Sequence, residues 1–224
     1  MEKLLTLIIP TYNMEKLLDR CLSSLVVKDN SLFQQVEVLV VIDGSKDRSS
    51  EIAHRYQERY PAVFRVIDKE NGNYGSCVNR GLKEATGKYI KILDADDYFN
   101  TETFTQYLAT IKNQDADLII TSGTNVTEQN KPMLKWRFDY EPNKIYPIET
   151  LKRVWIHEVT HRTALLREIG YAQTEGISYT DEEWVFYPMS MVKTFFTLNL
   201  DLYQYTVGRE GQTMNPTVWS RSMK

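Results

Sequence analysis

Four short apolar runs alternate with helical patterns over the first hundred residues. The runs are Leu4 to Ile9, Val36 to Ile42, Val63 to Ile67 and Tyr89 to Leu93. Nearly continuous apolar strands are typical of a parallel sheet that is buried on both faces, and the helices between them supply right-handed crossovers. The sequence therefore predicts an α/β fold, with a mostly parallel, Rossmann-like central sheet flanked by helices.

The remaining pattern predicts further elements around this sheet. Asn13 is a plausible N-cap for the first helix, and Pro147 is placed to open a later one. Thr180 and Glu183 match a capping box, which places Asp181 in the first turn of a helix that Pro188 ends or kinks. The other expected elements are a helix from Thr101 to Lys112 and strands at Asp117 to Ser122, Met133 to Phe138, Thr194 to Leu200 and Leu202 to Val207.

Three carboxylates follow the strand that ends at Leu93. If the chain stays extended, Asp94 and Asp96 face one side and Asp97 the other. Two carboxylates on one side raise each other's pKa unless a cation lies between them, and hard oxygen ligands suit Mg²⁺ or Mn²⁺. The alternative is a solvated acidic turn that caps the helix beginning near Thr101.

Composition limits the choice of partners and compartment. The 224 residues, 42% of them hydrophobic, are enough for one sizeable core, so we expect a single domain. A net charge of -3 gives no reason to expect a nucleic-acid partner. The apolar run before Pro10 is too short for a membrane span, and we expect a cytoplasmic protein, with peripheral association at the inner membrane face left open. Cys21 and Cys77 lie in helical patterns and are expected to be buried thiols.

Several motifs, in order, resemble one enzyme family. They are Pro10-Thr11-Tyr12-Asn13, Asp43-Gly44-Ser45 with Asp47, Asn71-Gly72 with Asn79 and Gly81, and Asp94-Ala95-Asp96-Asp97. Each is weak alone, but together they resemble the family 2 inverting glycosyltransferases of the GT-A fold, of the non-processive bacterial type. Processive members carry a Gln-x-x-Arg-Trp motif, which this chain lacks.

The resemblance implies roles for residues in the first half of the chain. The donor-binding residues would be Pro10, Thr11, Tyr12, Asp43, Asn71, Asp94 and Ala95. Asp96, with Asp94, would bind the Mn²⁺ or Mg²⁺ that bridges the diphosphate of a nucleotide-sugar donor. One departure stands out: many members have Arg before the Asn that matches Asn79, whereas this chain has Val78 there and Arg80 after it.

The second half resembles the family less closely. Asp181 matches the catalytic base. Arg209, Gln212 and Thr213 fall where a loop over the diphosphate or the acceptor is expected, and a plain surface turn is the alternative. The alternative for Asp181 is a purely structural role, as a carboxylate that the helix dipole stabilises in the first turn. Residues 1–100 would form the donor half and residues 101–224 the acceptor half of one domain, and a further segment beyond Lys224 is left open.

The chain also contains a competing motif. His157-Glu158-Val159-Thr160-His161 fits the His-Glu-x-x-His pattern of zinc metalloproteases, in which a helix places both histidines on one face. Neither the expected Gly nor a further His follows it, and zinc hydrolysis leaves the aspartates without a role. A catalytically silent nucleotide-binding module is a second alternative. A nucleotidyltransferase is a third, although Pro10 to Met14 lacks the Gly-rich basic loop usual for that class.

The resemblance thus implies transfer of a sugar, from a UDP-sugar, to an acceptor hydroxyl with inversion. The expected acceptor is a carbohydrate or a lipid-linked molecule, as in the synthesis of cell-surface polysaccharides or glycoconjugates. The sugar, the linkage and the oligomeric state are not specified by any motif.

Overall fold

The computed structural model describes residues 3–177, 179–208 and 212, and within these it is an α/β structure. Its strands are β1 Leu5–Thr11, β2 Val36–Asp43, β3 Phe64–Lys69, β4 Tyr89–Ile92, β5 Tyr98–Phe99, β6 Leu118–Thr127, β7 Pro132–Trp136, β8 Ile145–Pro147, β9 Val159–Arg162 and β10 Thr194–Val207. Its α-helices are α1 Leu18–Ser23, α2 Asn30–Phe33, α3 Ser49–Arg59, α4 Asn73–Glu84, α5 Thr101–Ile111, α6 Thr163–Glu168 and α7 Asp181–Phe186. Single 3₁₀ turns follow β8 and α7.

One sheet contains all of these strands, in the order β3-β2-β1-β4-β9-β6-β10-β5, with β7 on β6 and β8 on β10. The four strands at one side of the sheet, β3, β2, β1 and β4, are mutually parallel. β6 and β10 are also parallel to each other. β9 runs antiparallel between β4 and β6 and joins the two parallel groups. The predicted α/β fold is confirmed, and the carboxyl ends of β1, β2 and β4 meet at one edge of the sheet.

The core lies on both faces of this sheet, as the apolar strands predict. Leu7 and Ile9 of β1 pack on the face covered by α1, α3 and α5, whereas Ile8 packs on the opposite face against α4. Each fully buried side chain of this kind contributes about 1.5–3 kcal/mol. Cys21 and Cys77 are buried free thiols on opposite faces, as expected.

Two predictions of helix starts are wrong. Asn13 is no N-cap, because α1 begins at Leu18 and the Asn13 side chain instead accepts a hydrogen bond from Lys46 N at 2.8 Å, with φ at 52°. Pro147 opens no α-helix. It ends β8, which pairs with β10, and only the 3₁₀ turn Ile148–Thr150 follows.

Two further predictions need correction in detail. The two strands expected between Thr194 and Val207 form one strand, β10, whose pairing with β6 is irregular near Asp201. Thr180 does sit at the N-cap position of α7, but the capping-box hydrogen bonds are absent, because both side chains bond elsewhere. Among the described residues, no helix is long and apolar enough to cross a membrane.

Candidate active site

A pocket of about 460 Å³ opens at the carboxyl ends of β1, β2 and β4. The residues predicted from the sequence that line it are Pro10, Thr11, Tyr12, Asp43, Asn71, Asp94, Ala95, Asp96, Asp181 and Gln212. Arg209 and Thr213 lie outside the described residues. Parallel strands place their carboxyl ends at one edge, so positions far apart in the chain converge here.

Asp43, the last residue of β2, forms one corner of the pocket. Its Oδ1 accepts hydrogen bonds from Lys69 Nζ at 2.6 Å and from Gly72 N at 2.9 Å. Asn71 Nδ2 donates to the backbone oxygen of Asp43 at 3.0 Å. The Asp43 carboxylate is thus fixed in a buried position by a lysine that is itself held by Ser76.

The aspartates after β4 form a turn rather than an extended segment. β4 ends at Ile92, and Asp97 N donates to Asp94 O at 3.0 Å, which reverses the chain. The prediction that Asp97 faces away from Asp94 is therefore wrong. Buried Asp97 accepts from Tyr203 OH at 2.8 Å and from Thr206 N at 2.7 Å. Burial, reinforced by the neighbouring carboxylates of Asp96 and Asp94, raises the Asp97 pKa well above its ordinary value.

Arg20 of α1 holds the same turn through its guanidinium group. Its Nη2 donates to the backbone oxygen of Asp96 at 2.6 Å and to Thr206 Oγ1 at 2.7 Å, and its guanidinium stacks 4.7 Å from the Tyr98 ring. The turn is therefore anchored by both the first helix and the last strand.

Asp94 connects the turn to two residues from other parts of the chain. Its Oδ1 accepts a hydrogen bond from Tyr74 OH at 2.9 Å, and its Oδ2 lies 3.4 Å from His157 Nε2. Burial raises the Tyr74 pKa well above its ordinary value, and the charges of Asp94, Asp181 and Asp96 add to this effect. Tyr74 therefore remains a hydrogen-bond donor, and it lies within electrostatic reach of both Asp94 and Asp181.

Asp94, Asp97 and His157 form a candidate metal centre. Their ligand atoms all lie within 4.8 Å of one another. Asp97 is buried and both of its oxygens accept hydrogen bonds, whereas the side chains of Asp94 and His157 are 25% and 18% exposed, so these two are more accessible to a cation. Asp96 lines the same pocket. Two carboxylates and an imidazole suit a divalent cation such as Mn²⁺, and a cation would offset the crowding of negative charge at this turn.

The backbone around His157 is held by a buried lysine. Lys91 of β4 is fully buried and donates from Nζ to the carbonyl oxygens of His157 at 2.7 Å and of Val159 at 3.1 Å. Burial lowers the Lys91 pKa to about 7. The His157 ring packs against Tyr203 and Tyr205, at centroid distances of 4.8 and 4.7 Å. These contacts fix the imidazole opposite Asp94.

The helix on which the zinc-protease interpretation depends does not form. His157 lies in a turn and His161 in β9, where its Nε2 is 2.9 Å from Trp184 O. Burial lowers the His161 pKa to about 4, so the ring is a neutral core residue. The two histidines therefore serve different environments.

Asp181 begins α7 and lines the pocket. Tyr179, two residues earlier, also lines it and adopts a φ of 65°, which is strained for a residue other than glycine. The backbone is thus sharply bent immediately before the predicted base.

Tyr74, His157 and Tyr205 are pocket residues to which the sequence motifs assign no donor, metal or catalytic role. The sequence marks His157 only as part of the protease-like motif and Tyr205 only as part of a predicted strand, and it assigns nothing to Tyr74. The chain positions of Tyr74 and Tyr205 gave no signal of their role. His157 stands out in the sequence as the first histidine of the protease-like motif, but nothing in that motif indicates that it lies beside Asp94.

Comparison with known proteins agrees with this fold and pocket. Residues 6–169 match the model of Glycosyl transferase family 2. The chain belongs to this family, which confirms the resemblance derived from its motifs. The chain is 28% identical over 225 residues to the poly(ribitol-phosphate) beta-N-acetylglucosaminyltransferase TarS of Staphylococcus aureus, covering 94% of this chain and 36% of that protein.

A second relative matches over more of its own length. Glycosyltransferase GlyG of Streptococcus pneumoniae is 26% identical over 247 residues, which cover all of this chain and 78% of GlyG. By contrast, the chain spans only about a third of the length of several curated relatives, TarS among them.

Solved structures resemble the whole described fold. TarS residues 1–349 in complex with UDP-GlcNAc superpose with a TM-score of 0.79 at 25% identity, over 93% of this chain and 60% of that one. Mannosyltransferase PcManGT from Pyrobaculum calidifontis, in complex with GDP-Man and Mn²⁺, gives a TM-score of 0.68 at 15% identity, which shows likeness of fold alone. That comparison covers all of this chain and 62% of PcManGT.

Proposed function

We propose that the protein transfers a sugar from a UDP-sugar to an acceptor hydroxyl, with inversion at the anomeric carbon and with the help of a divalent cation. The observation that carries this proposal is the convergence of Asp43, the Asp94–Asp97 turn and Asp181 on one pocket. A silent nucleotide-binding module would need the first two but not the third. The donor preference is supported by the UDP-GlcNAc complex of TarS, the similar protein described above.

In this proposal, the donor half supplies the nucleotide and metal sites. Asp43 and Asn71 would bind the base or ribose beside the polypeptide at Pro10 to Tyr12. Asp94 and Asp96 would hold the cation, joined by His157 and, through its position in the turn, by Asp97. A cation held there would supply positive charge to offset the negative charge that develops on the departing diphosphate.

The acceptor half supplies the base. Inversion requires the hydroxyl to attack from the side opposite the leaving group, so its proton must go to a residue across the pocket from the diphosphate. Asp181, at the start of α7, is proposed to take that proton. Because Asp181 lines the open pocket, its carboxylate is accessible to an incoming hydroxyl.

The acceptor is proposed to be a carbohydrate or lipid-linked glycan of the cell surface, elongated in the cytoplasm at the inner face of the membrane. The name of TarS, which transfers to a poly(ribitol-phosphate), supports this class of acceptor. We propose that residues 1–224 act as one domain, with the donor half in residues 1–100.

A donor screen tests the proposal directly. UDP-GlcNAc, UDP-Glc, UDP-Gal and GDP-Man are each added to the protein with Mn²⁺ or with EDTA, and the melting temperature is measured. A ligand at 100 times its Kd stabilises the fold by about 2.7 kcal/mol, which corresponds to roughly 5–10 °C for a domain of this size.

We expect this shift with a UDP-sugar and Mn²⁺, accompanied by release of UDP and by an anomeric configuration opposite to the donor's in the NMR spectrum of the product. Binding without any turnover, in the presence of a panel of glycan acceptors and of water, would favour the silent module. Equal turnover in excess EDTA would refute the metal requirement.

A further inference from the structure

The loop at Tyr171 to Glu175 rests directly on helix α4. A Cβ added at Gly75 would lie 2.0 Å from Thr174 O, so only glycine permits this approach of the loop backbone. One helical turn later, the Asn79 side chain pairs with the loop in both directions: its Nδ2 donates to Gln173 O and its Oδ1 accepts from Gln173 N, each at 2.8 Å. The loop is therefore docked on α4 with a defined register.

The side chain of Gln173 links this loop to the start of α7. It is 2% exposed, and its Nε2 donates to Thr180 O at 2.9 Å and to Thr180 Oγ1 at 2.8 Å. Its Oε1 accepts from Tyr171 OH at 3.3 Å. Every polar atom of this buried amide thus has a partner, and two of its contacts fix the residue immediately before Asp181.

A second tether reaches the same helical turn. Thr174 N donates to Glu183 Oε2 at 2.7 Å, so the loop holds α7 through a side chain as well as through Thr180. These two contacts replace the capping box that the sequence predicted. They also hold a segment whose backbone is strained, since Tyr179 has a positive φ.

Helix α4 also positions the opposite wall of the pocket. Tyr74, in its first turn, donates to Asp94 Oδ1 at 2.9 Å. The same helix therefore sets the location of Asp94 through Tyr74 and the location of Asp181 through Asn79 and the loop.

From these contacts we infer that Gln173 is a positioning residue for transfer: it locks Thr180, and through it Asp181, at a fixed distance from the donor-binding wall built on α4. This inference rests on the proposed role of Asp181 as base. Gln173 is not among the residues that line the pocket.

The test uses Gln173→Met, which keeps the side-chain length but removes both contacts to Thr180. Turnover is measured as UDP release from the UDP-sugar that gives the fastest metal-dependent rate in the donor screen, and binding is measured by calorimetry with UDP and Mn²⁺. We expect kcat to fall about tenfold to 100-fold, the usual cost of misplacing a catalytic group by about 1 Å. The Kd for UDP should stay within about twofold.

The matched control is Gln204→Met. Gln204 is also buried, and its Nε2 also donates to a backbone carbonyl, that of Asp201 at 3.3 Å, but none of its side-chain hydrogen bonds to the described residues reaches α7 or the loop. This variant should lose a similar amount of thermal stability without the loss of kcat. If Gln173→Met does not fold, Gln173→Glu serves in its place, because it keeps the volume but, as a carboxylate, can donate neither to Thr180 O nor to Thr180 Oγ1.

The decisive readout is a double-mutant cycle with Asp181→Asn. If Gln173 acts through Asp181, Gln173→Met should cost no further turnover once Asp181 is replaced. Parent turnover in Gln173→Met, or an equal fold loss in both backgrounds, would overturn the inference while leaving the base assignment standing. Parent turnover in Asp181→Asn alone would instead refute the proposed base, and the positioning role with it.

Discussion

Acid titration of the fold should reveal how the chain uses His161. Its imidazole is fully buried in β9, bonded to Trp184 O and packed edge-on against the Trp184 ring at 5.2 Å. Burial is the main cause that lowers its pKa to about 4 from an ordinary 6.5, and the hydrogen bond to Trp184 acts in the opposite direction. Folding therefore selects the neutral ring.

The sign of the effect follows from proton linkage. Between pH 6.5 and about 4, the unfolded chain binds a proton at His161 that the folded protein does not, so stability falls as the pH falls through this window. The interval between the ordinary pKa of 6.5 and the folded-state pKa of about 4, at 1.36 kcal/mol for each pH unit, gives a full loss of about 3 kcal/mol. Between pH 7.5 and 5.0 the expected part of this loss is about 2 kcal/mol.

The variant to compare is His161→Gln, which keeps an N–H group near Trp184 O but does not titrate. Unfolding free energies from urea titrations, followed by circular dichroism, should show the parent's advantage shrinking by about 2 kcal/mol from pH 7.5 to 5.0. Glu158, whose pKa burial raises to about 7, titrates in both proteins and drops out of the difference.

Tyr107→Phe is the control for this experiment. It removes a buried hydrogen bond to Thr160 Oγ1 at 2.8 Å, beside His161, but no group that titrates in this window. Its difference from the parent should be constant with pH. A constant difference for His161→Gln as well would refute the assignment of a buried, neutral imidazole.

Three further outcomes are expected at the proposed site. Asp96→Asn should sharply reduce Mn²⁺-dependent turnover, because it removes a charged ligand of the proposed cation. Unchanged activity of the parent in excess EDTA would contradict the metal requirement. Asp181→Asn should lose about 10²- to 10⁴-fold in turnover, the usual cost of losing a general base, with the Kd for UDP nearly unchanged by calorimetry. His157→Ala should weaken Mn²⁺ binding in a paramagnetic resonance titration, whereas stoichiometric zinc in the parent that is lost in His161→Ala would restore the protease interpretation.

Much of the fold was accessible from local pattern. The buried strands β1, β2 and β4 are nearly continuous apolar runs, and a polar residue of the pocket lies at the end of β1 and β2 and two residues beyond the end of β4. Because parallel topology brings such ends together, the sequence sufficed to gather Thr11, Asp43 and Asp94 at one edge. Each of these polar residues lies at or just after an apolar run, so both its place at a strand end and its binding chemistry can be predicted locally.

What could not be predicted depends on contacts between distant segments. Asn13 is a residue type that often caps helices. Its side chain instead accepts a hydrogen bond from Lys46 N, in a loop that is distant in the sequence. Asp97 was placed on the wrong side because a turn, closed by its own N–H on Asp94 O, replaces the extended chain. His157 approaches Asp94 only because β9 enters the sheet next to β4, and no local pattern encodes that neighbour.

Val78 stands where many family members have an arginine, and the structure shows where Val78 and the nearby Arg80 lie. Val78 is fully buried in the core beneath α4, and Arg80 points to the surface, where it pairs with Glu84 at 3.1 Å. Lys69 is committed to Asp43 at 2.6 Å. Among the described residues that line the pocket, there is no lysine or arginine.

A diphosphate bound in this pocket would therefore face the carboxylates of Asp43, Asp94, Asp96 and Asp181 without a described basic side chain to neutralise it. Two groups of like charge at such distances repel unless a cation is shared between them. The residues available for that purpose are Asp94 and His157, which face each other at 3.4 Å, with Asp96 in the same wall. We therefore expect donor binding to depend on the proposed cation, and Asp96→Asn to impair binding as well as turnover.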